Sequence, residues 1–336
     1  MSEAAAGTSD TVAEAAAVIR DANCIAIMAH VNPDADAIGS LLGLLLGLRA
    51  LGKDAIGALQ DPVPEYAGFL TGADGIRSSL DEVSPDLLIC ADVAGIDRVG
   101  SLYEDNLTLF ERLPVLNLDH HRTNPLFGTV NYVDPGASST SELSYRLLSR
   151  LAAPLGPDAA TALLFGILGD TGSFRNGATT PGALSTAAEL LTLGADTQLV
   201  AFQLFERKTF AAARLWGRIV STVELDPRRR IVFAHMTQQM VREEGATVDE
   251  TEGVAEYLRG IEEAEVVMLL KETEDGEMRV SMRSRPAIDV SAIATALGGG
   301  GHRQAAGCTI SGPVDRARTL LVETFDREVS GLRASP

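Results

Sequence analysis

The sequence predicts an α/β protein, with an N-terminal parallel sheet covered by helices on both faces and a smaller C-terminal α/β domain across a cleft. Three observations predict it. Short, unbroken apolar runs read as strands buried on both faces, helical stretches separate them, and the alternation restarts after a helical segment. With 336 residues, the chain is long enough for two cores. The expected boundaries are 1–196 for the first domain, 197–223 for a helical connector and 224–336 for the second domain.

In chain order, Cys24–Ala29 reads as the first buried strand and His30–Asp36 as its loop. Residues 38–51 read as a helix capped by Gly52. Leu87–Ala91 is a second apolar run ending at Asp92, and Val115–Leu118 a third, ending at Asp119-His120-His121. Ser139-Thr-Ser-Glu142 has capping-box spacing and opens a helix to about Leu151. A further helix spans Asp158–Leu168 and runs into Gly169-Asp170-Thr171-Gly172, where Asp170 reads as a turn residue. Residues 197–223 read as helical, with Phe210 and Trp216 as packing residues. Beyond them come a strand at 231–236, a helix at 250–262 and a strand at 264–270. Residues 277–285 alternate, so that Arg279, Ser281, Arg283 and Arg285 share one face. A helix at 289–297 is broken by Gly298–His302, and a strand near 306–310 and a helix from 314 to 329 close the chain.

Composition narrows the function classes. An apolar fraction of 46% with 32 glycines fits a globular α/β protein. The net charge of −18 opposes tight binding of long duplex nucleic acid, which needs many Lys and Arg contacts to phosphate. It leaves room for a small anionic substrate drawn to a local cluster of cations. Cys24, Cys90 and Cys308 are widely spaced and odd in number, so they read as core residues of a reducing compartment. The first 21 residues lack a basic leader, and the most apolar run is too short to cross a bilayer. A cytoplasmic location without membrane contact is expected.

Four of the five histidines lie in loops rich in potential ligands; the fifth, His235, sits in an apolar strand and is expected to pack. His30-x-x-x-Asp34-x-Asp36 follows a buried strand, and imidazole with carboxylate suits Mn²⁺, Zn²⁺ or Fe²⁺. The competing reading is a helix N-cap by the Asp before Ala37, Asp36. In Asp119-His120-His121, adjacent imidazoles diverge, and Asp119 can hold one ring in a single tautomer. Asp92 and Asp170 also follow apolar segments. Singly each motif has an ordinary explanation; together they predict one metal site. Gly298–His302 offers backbone amides to an anion, and Arg279, Arg283 and Arg285 suit phosphate. No GK[ST] ends the glycine run, which excludes a nucleotide-triphosphatase loop.

These residues resemble the DHH phosphoesterase superfamily, named for a triplet like Asp119-His120-His121. Arg283-Ser284 and Gly299-Gly-Gly-His302 resemble the markers of its DHHA1 domain. The likeness runs from about Asp21 to Arg327, and its length and domain order are similar to the nanoRNase and pAp-phosphatase branch. The resemblance implies two divalent cations, usually Mn²⁺: one on His30, Asp34 and Asp92, the other on Asp36, Asp92, His120 and Asp170. It implies that His121 faces the scissile phosphate, supported by Asp119. It further implies that Arg283 and His302 grip substrate phosphate, with Ser284, Gly299, Gly300 and Gly301 nearby. Arg122 stands where many relatives have proline, and a phosphate contact is its expected role. The implied substrates are short RNA, dinucleotides or 3′-phosphoadenosine 5′-phosphate (pAp). A cyclic-dinucleotide phosphodiesterase is the alternative activity, and a non-catalytic nucleotide sensor the alternative class. The sequence leaves homodimerisation open.

Overall fold

Parallel strands sandwiched between helix layers must be apolar on both faces, and Leu87–Ala91 meets that demand with all five residues buried. The structure, a computed structural model, describes residues 3–330. Residues 1–2 and 331–336, the outer ends of the two expected domains and of the segment read as leaderless, lie outside the described residues. The chain divides into two compact units, Met1–Arg207 and Lys208–Pro336.

In the first unit the elements run α1 (Glu3–Asp21), β1 (Cys24–Met28), α2 (Ala35–Ala50), β2 (Asp54–Ala58), β3 (Leu87–Ala91), α3 (Ser101–Glu104) and α4 (Leu107–Arg112). They continue with β4 (Val115–Asp119), β5 (Val130–Val133), α5 (Thr140–Arg150), α6 (Pro157–Thr171), α7 (Pro181–Thr192) and α8 (Thr197–Ala201). The five strands form one parallel sheet in the order β2-β1-β3-β4-β5. On one face Ile25, Ile27, Ile89, Leu116 and Leu118 pack with α1, α2, α5 and α6. On the other, Ala26, Met28, Leu88 and Cys90 pack with Leu102, Leu109 and Phe110 of α3 and α4. Helices on both faces are as expected. The edge strands β2 and β5 were not anticipated, because Asp54–Ala58 and Val130–Val133 mix polar residues and glycine into short runs.

The second unit begins with α9 (Phe210–Ser221), followed by β6 (Glu224–Asp226), β7 (Ile231–Met236), α10 (Gln238–Glu244), α11 (Val254–Leu258), β8 (Val266–Glu272) and β9 (Glu277–Ser284). It ends with α12 (Val290–Ala296), β10 (Gly300–His302), β11 (Ala305–Ser311) and α13 (Val314–Ser330). Its mixed sheet has the order β10-β11-β9-β8-β7-β6, with only β7 and β8 parallel. Met268, Val280, Met282 and Ile310 face α12 and α13; Val232, Val267 and Leu269 face α9 and α11.

The stretch 197–223 is not one connector. Val200 on α8 belongs to the first unit's core, whereas Leu215 and Ile219 on α9 belong to the second's. Phe210 was expected to pack but is 81% exposed at the start of α9; Trp216 packs, its Nε1 donating to the Glu250 carbonyl at 2.8 Å. Among the described residues no helix is long and apolar enough to cross a membrane.

Candidate metal centre

In an open parallel sheet, ligands gather at the carboxyl ends of the strands, where the strand order reverses. Here that point lies between β1 and β3. His30 follows β1, Asp92 follows β3, and Asp119 ends β4 with His120 and His121 next in the chain. Asp34 and Asp36 open α2, and Asp170 sits in the last turn of α6, which Gly172 ends in a left-handed cap. Asp170 is therefore a helical residue rather than the turn residue expected.

The N-cap of α2 is Asp34 and not Asp36, the residue directly before Ala37, and Asp34 also faces His30. Its Oδ1 accepts from the amides of Asp36 (3.0 Å) and Ala37 (3.1 Å) as the N-cap of α2. The same atom lies 3.8 Å from His30 Nε2. The Val31 carbonyl, 2.9 Å from His30 Nδ1, fixes that nitrogen as a donor and leaves Nε2 to face the carboxylates. Asp92 is 1% exposed and has φ +61, a left-handed conformation that costs a non-glycine residue energy and marks functional sites. Its Oδ2 lies 3.6 Å from His30 Nε2, and its Oδ1 lies 3.7 Å from His120 Nε2. His120 Nε2 is also 3.9 Å from Asp36 Oδ2 and 3.2 Å from Asp170 Oδ2.

Three overlapping donor groups result: His30, Asp34 and Asp92; Asp36, His120 and Asp170; and Asp92, His120 and His121, the ligand atoms within each group lying within 4.8 Å of one another. The first two share no residue and make two separate donor sets. Most of these separations exceed a hydrogen bond. They suit donors arranged around a shared cation, with each bond near 2 Å. Among the described residues, no Lys or Arg pairs with any of these four aspartates. Burial, then the charges of Asp92 and Asp170, raise the Asp36 carboxyl well above the ordinary range. Burial, then Asp92 and Asp34, push Asp170 up to about 8. Burial opposes the charged form of His30, but hydrogen bonds to Asp34 and Asp92 outweigh it and raise its pKa to about 10. Crowded carboxylates with no Lys or Arg partner, mixed with imidazoles, are a donor set that fits divalent metal ions.

Asp119 is fully buried and accepts at Oδ1 from the His120 amide (2.8 Å) and from His121 Nδ1 (2.7 Å). Burial alone would raise its pKa, but His121 and Asn124 hold it below the ordinary carboxylate range. The hydrogen bond to Asp119 in turn raises His121. Proton donation at Nδ1 leaves Nε2 of this half-exposed ring open to a ligand.

Sequence reasoning missed three supports. Asn124 Nδ2 donates to Asp119 Oδ2 at 2.6 Å, and nothing marked it apart from other loop asparagines. The amides of Thr140 and Ser141 donate to Asp36 at 2.6 and 2.9 Å, and Thr140 Oγ1 donates to Asp92 Oδ1 at 2.9 Å. The Ser139–Glu142 capping pattern pointed only to a helix start there. It does cap: Ser139 Oγ accepts from the Glu142 amide at 3.1 Å.

Of the remaining candidates only Arg122 belongs to the first unit. Arg122 is exposed in the loop after β4. In the second unit Arg283 is on β9, 3.7 Å from Glu256, and His302 is exposed on β10. Ser284 is fully buried and its hydroxyl donates to the Ile288 carbonyl at 2.7 Å, so its side chain holds the turn after β9 rather than facing a ligand. Arg285 leaves the expected arginine face and donates to the carbonyls of Ile261 and Glu262. The glycine run approaches its own backbone: a Cβ on Gly301 would lie 2.6 Å from the Ala305 carbonyl oxygen. The Gly298 and Gly299 amides end α12 by donating to Thr295 and Ala294. Those two amides are not free for an anion. His235 is half-buried on β7.

Residues 24–167 match the DHH family, N-terminal domain, and residues 231–331 match the DHHA1 domain. A bifunctional oligoribonuclease and PAP phosphatase NrnA of Thermus thermophilus is 36% identical over 311 residues, covering 91% of this chain and 90% of that protein. The cyclic-di-AMP phosphodiesterase GdpP of Bacillus subtilis is 27% identical over 92% of this chain, but over only 49% of its own length. The crystal structure of an exopolyphosphatase-related protein from Bacteroides fragilis shares the fold, with a TM-score of 0.84 at 22% identity over 97% of this chain and 98% of the other. With both domain matches in order along the chain and a relative alike over nine-tenths of it, the chain belongs to the DHH family, its DHH domain followed by a DHHA1 domain.

Proposed function

We propose that this chain is a metal-dependent phosphoesterase that hydrolyses short oligoribonucleotides, pAp or both, with His30, Asp34, Asp36, Asp92, His120 and Asp170 as ligands of two divalent cations. One observation carries the proposal: Asp92 turns one carboxylate oxygen toward each of two donor sets. The printed names of the NrnA relatives support the substrate class. The mixed imidazole and carboxylate donors favour Mn²⁺ over Mg²⁺.

Cations bound there would supply Lewis acidity, acidifying water and neutralising charge on the substrate phosphate. The chain's own residues do the rest. Asp92 and Asp36, held from the rear by α5, keep the donors in place without rearrangement. His121 keeps its Nδ1 proton on Asp119 and turns Nε2 to the phosphate, where a raised pKa favours the protonated ring as a partner for anionic oxygen. In the second unit Arg283 and His302 are the side chains proposed to bind phosphate, and in the first Arg122 is available for a further contact. The domains assigned to these tasks are 1–196 and 224–336. The net charge of −18 disfavours long duplex nucleic acid as substrate.

The likeness to GdpP favours a second reading, a phosphodiesterase for cyclic or linear dinucleotides. One experiment separates the two. Purified protein with Mn²⁺ is offered pAp, dinucleotides, five-mers and cyclic dinucleotides, and the rates are ranked. Short linear RNA or pAp should lead; cyclic dinucleotides leading would move the assignment to the second reading. Asp92→Asn should lower kcat by more than the roughly 100-fold that loss of a ligand's supporting partner costs. Binding without turnover by the unaltered protein would point instead to a nucleotide sensor.

A further inference from the structure

A carboxylate can serve two cation sites only if its plane is held so that one oxygen faces each. The terminal torsion of Asp is broad and does not hold itself. In Asp92 the division is clean: Oδ1 lies 3.7 Å from His120 Nε2, and Oδ2 lies 3.6 Å from His30 Nε2. One side chain hydrogen-bonds to this carboxylate among the described residues. Thr140 Oγ1 donates to Asp92 Oδ1 at 2.9 Å. The Thr140 amide donates to Asp36 Oδ2 at 2.6 Å, and the Ser141 amide to Asp36 Oδ1 at 2.9 Å. Thr140 is fully buried. The first turn of α5 thus holds Asp36 by its backbone and Asp92 by one hydroxyl.

That hydroxyl is not needed to start the helix. Ser139 is the N-cap, its Oγ accepting from the Glu142 amide. The Asp92 backbone, in the left-handed region at φ +61, sets where the side chain starts but not the turn of its carboxylate. We propose that Thr140 is a positioning residue that aligns Asp92 as the ligand shared by both cation sites, and that its hydroxyl chiefly builds the site of Asp36, His120 and Asp170. The inference rests on the two-cation reading above and deepens it.

Titration with Mn²⁺, followed by electron paramagnetic resonance of the free ion and by calorimetry, tests it. The unaltered chain should bind two ions. Thr140→Val, which keeps the shape and removes the donor, should bind one ion about tenfold to 100-fold more weakly, the usual cost of losing a ligand's supporting partner, and the other with a smaller loss. Thr140→Ser should restore the second site. Should the valine variant fail to give a cooperative melt, Thr140→Ala takes its place in the same titration. Two ions bound at unaltered affinity by the folded valine or alanine variant would overturn the inference, as would equal weakening of both sites. If the unaltered chain bound no Mn²⁺, the two-cation reading itself would fail, a result distinct from either of these.

Discussion

A histidine that is to ligate a cation must give up the proton on its coordinating nitrogen, and His30 holds that proton tightly. Its carboxylate neighbours raise it from 6.5 to about 10, so cation and proton compete for Nε2. The consequence reaches stability in the metal-free chain. For a group whose folded pKa is raised, stability is present below the unfolded value and lost as pH rises through the folded one. His30 therefore loses its contribution between 6.5 and about 10, and Asp170 between 3.8 and about 8. The lowered carboxyls Asp34 and Asp119 act the other way, but below pH 4. From pH 6 to 9 both effects run downward. The melting temperature of chelator-treated protein should fall by several degrees over that range, and saturating Mn²⁺ should raise it more at pH 9 than at pH 6. A flat or rising profile without metal would contradict the crowding of charges described for this site.

At the scale of elements, the centre depends on how closely α2 and α6 approach. Gly39, Gly43 and Gly47 recur every fourth residue on α2, a spacing that puts them along one side of the helix. A Cβ on Gly39 would lie 2.6 Å from the Ala162 carbonyl oxygen, and one on Gly43 would strike the Leu163 side chain. The absence of side chains lets the helices run antiparallel at short range, which brings Asp170 at the end of α6 to Asp36 at the start of α2. Gly166 is the tightest point for the chemistry: a methyl there would strike Ser141 Oγ and lie 2.7 Å from Asp36 Oδ1. Gly166→Ala should cost about 1–3 kcal/mol by overpacking, despite the better helix propensity of alanine. It should also weaken Mn²⁺ binding. An unchanged denaturation midpoint together with unaltered Mn²⁺ affinity would show that the interface yields more easily than the geometry implies.

Across the whole molecule, each unit has its own apolar interior: Ile25, Leu44 and Phe165 in the first, Met268, Val267 and Leu215 in the second. All six proposed cation ligands belong to the first unit. A ligand that binds only the folded form stabilises the part that holds it, by about 2.7 kcal/mol at 100 times its dissociation constant. Scanning calorimetry should therefore resolve two transitions, of which Mn²⁺ raises one and leaves the other near its metal-free temperature. A single transition raised as a whole would mean that the units unfold as one.

The sequence by itself determined the fold class, the buried strands Cys24–Met28, Leu87–Ala91 and Val115–Asp119, and the residues that converge at their carboxyl ends. Buried parallel strands require unbroken apolar runs, and a loop of ligands directly after one has few structural explanations, so local chemistry is enough to reveal both. The edge strands β2 and β5 escaped because one-sided burial tolerates polar residues. Only the tertiary structure decided that Asp34 is cap and candidate ligand at once, that the glycine run packs on β11, that Ser284 is buried, and that Thr140 and Asn124 hold the carboxylates. Thr140 meets Asp36 and Asp92 from a distant segment, while the others are local contacts or competitions for one hydrogen-bonding group, in which spacing allows several partners. Spacing along a sequence records which groups are present; only folding decides which of their possible partners each one meets.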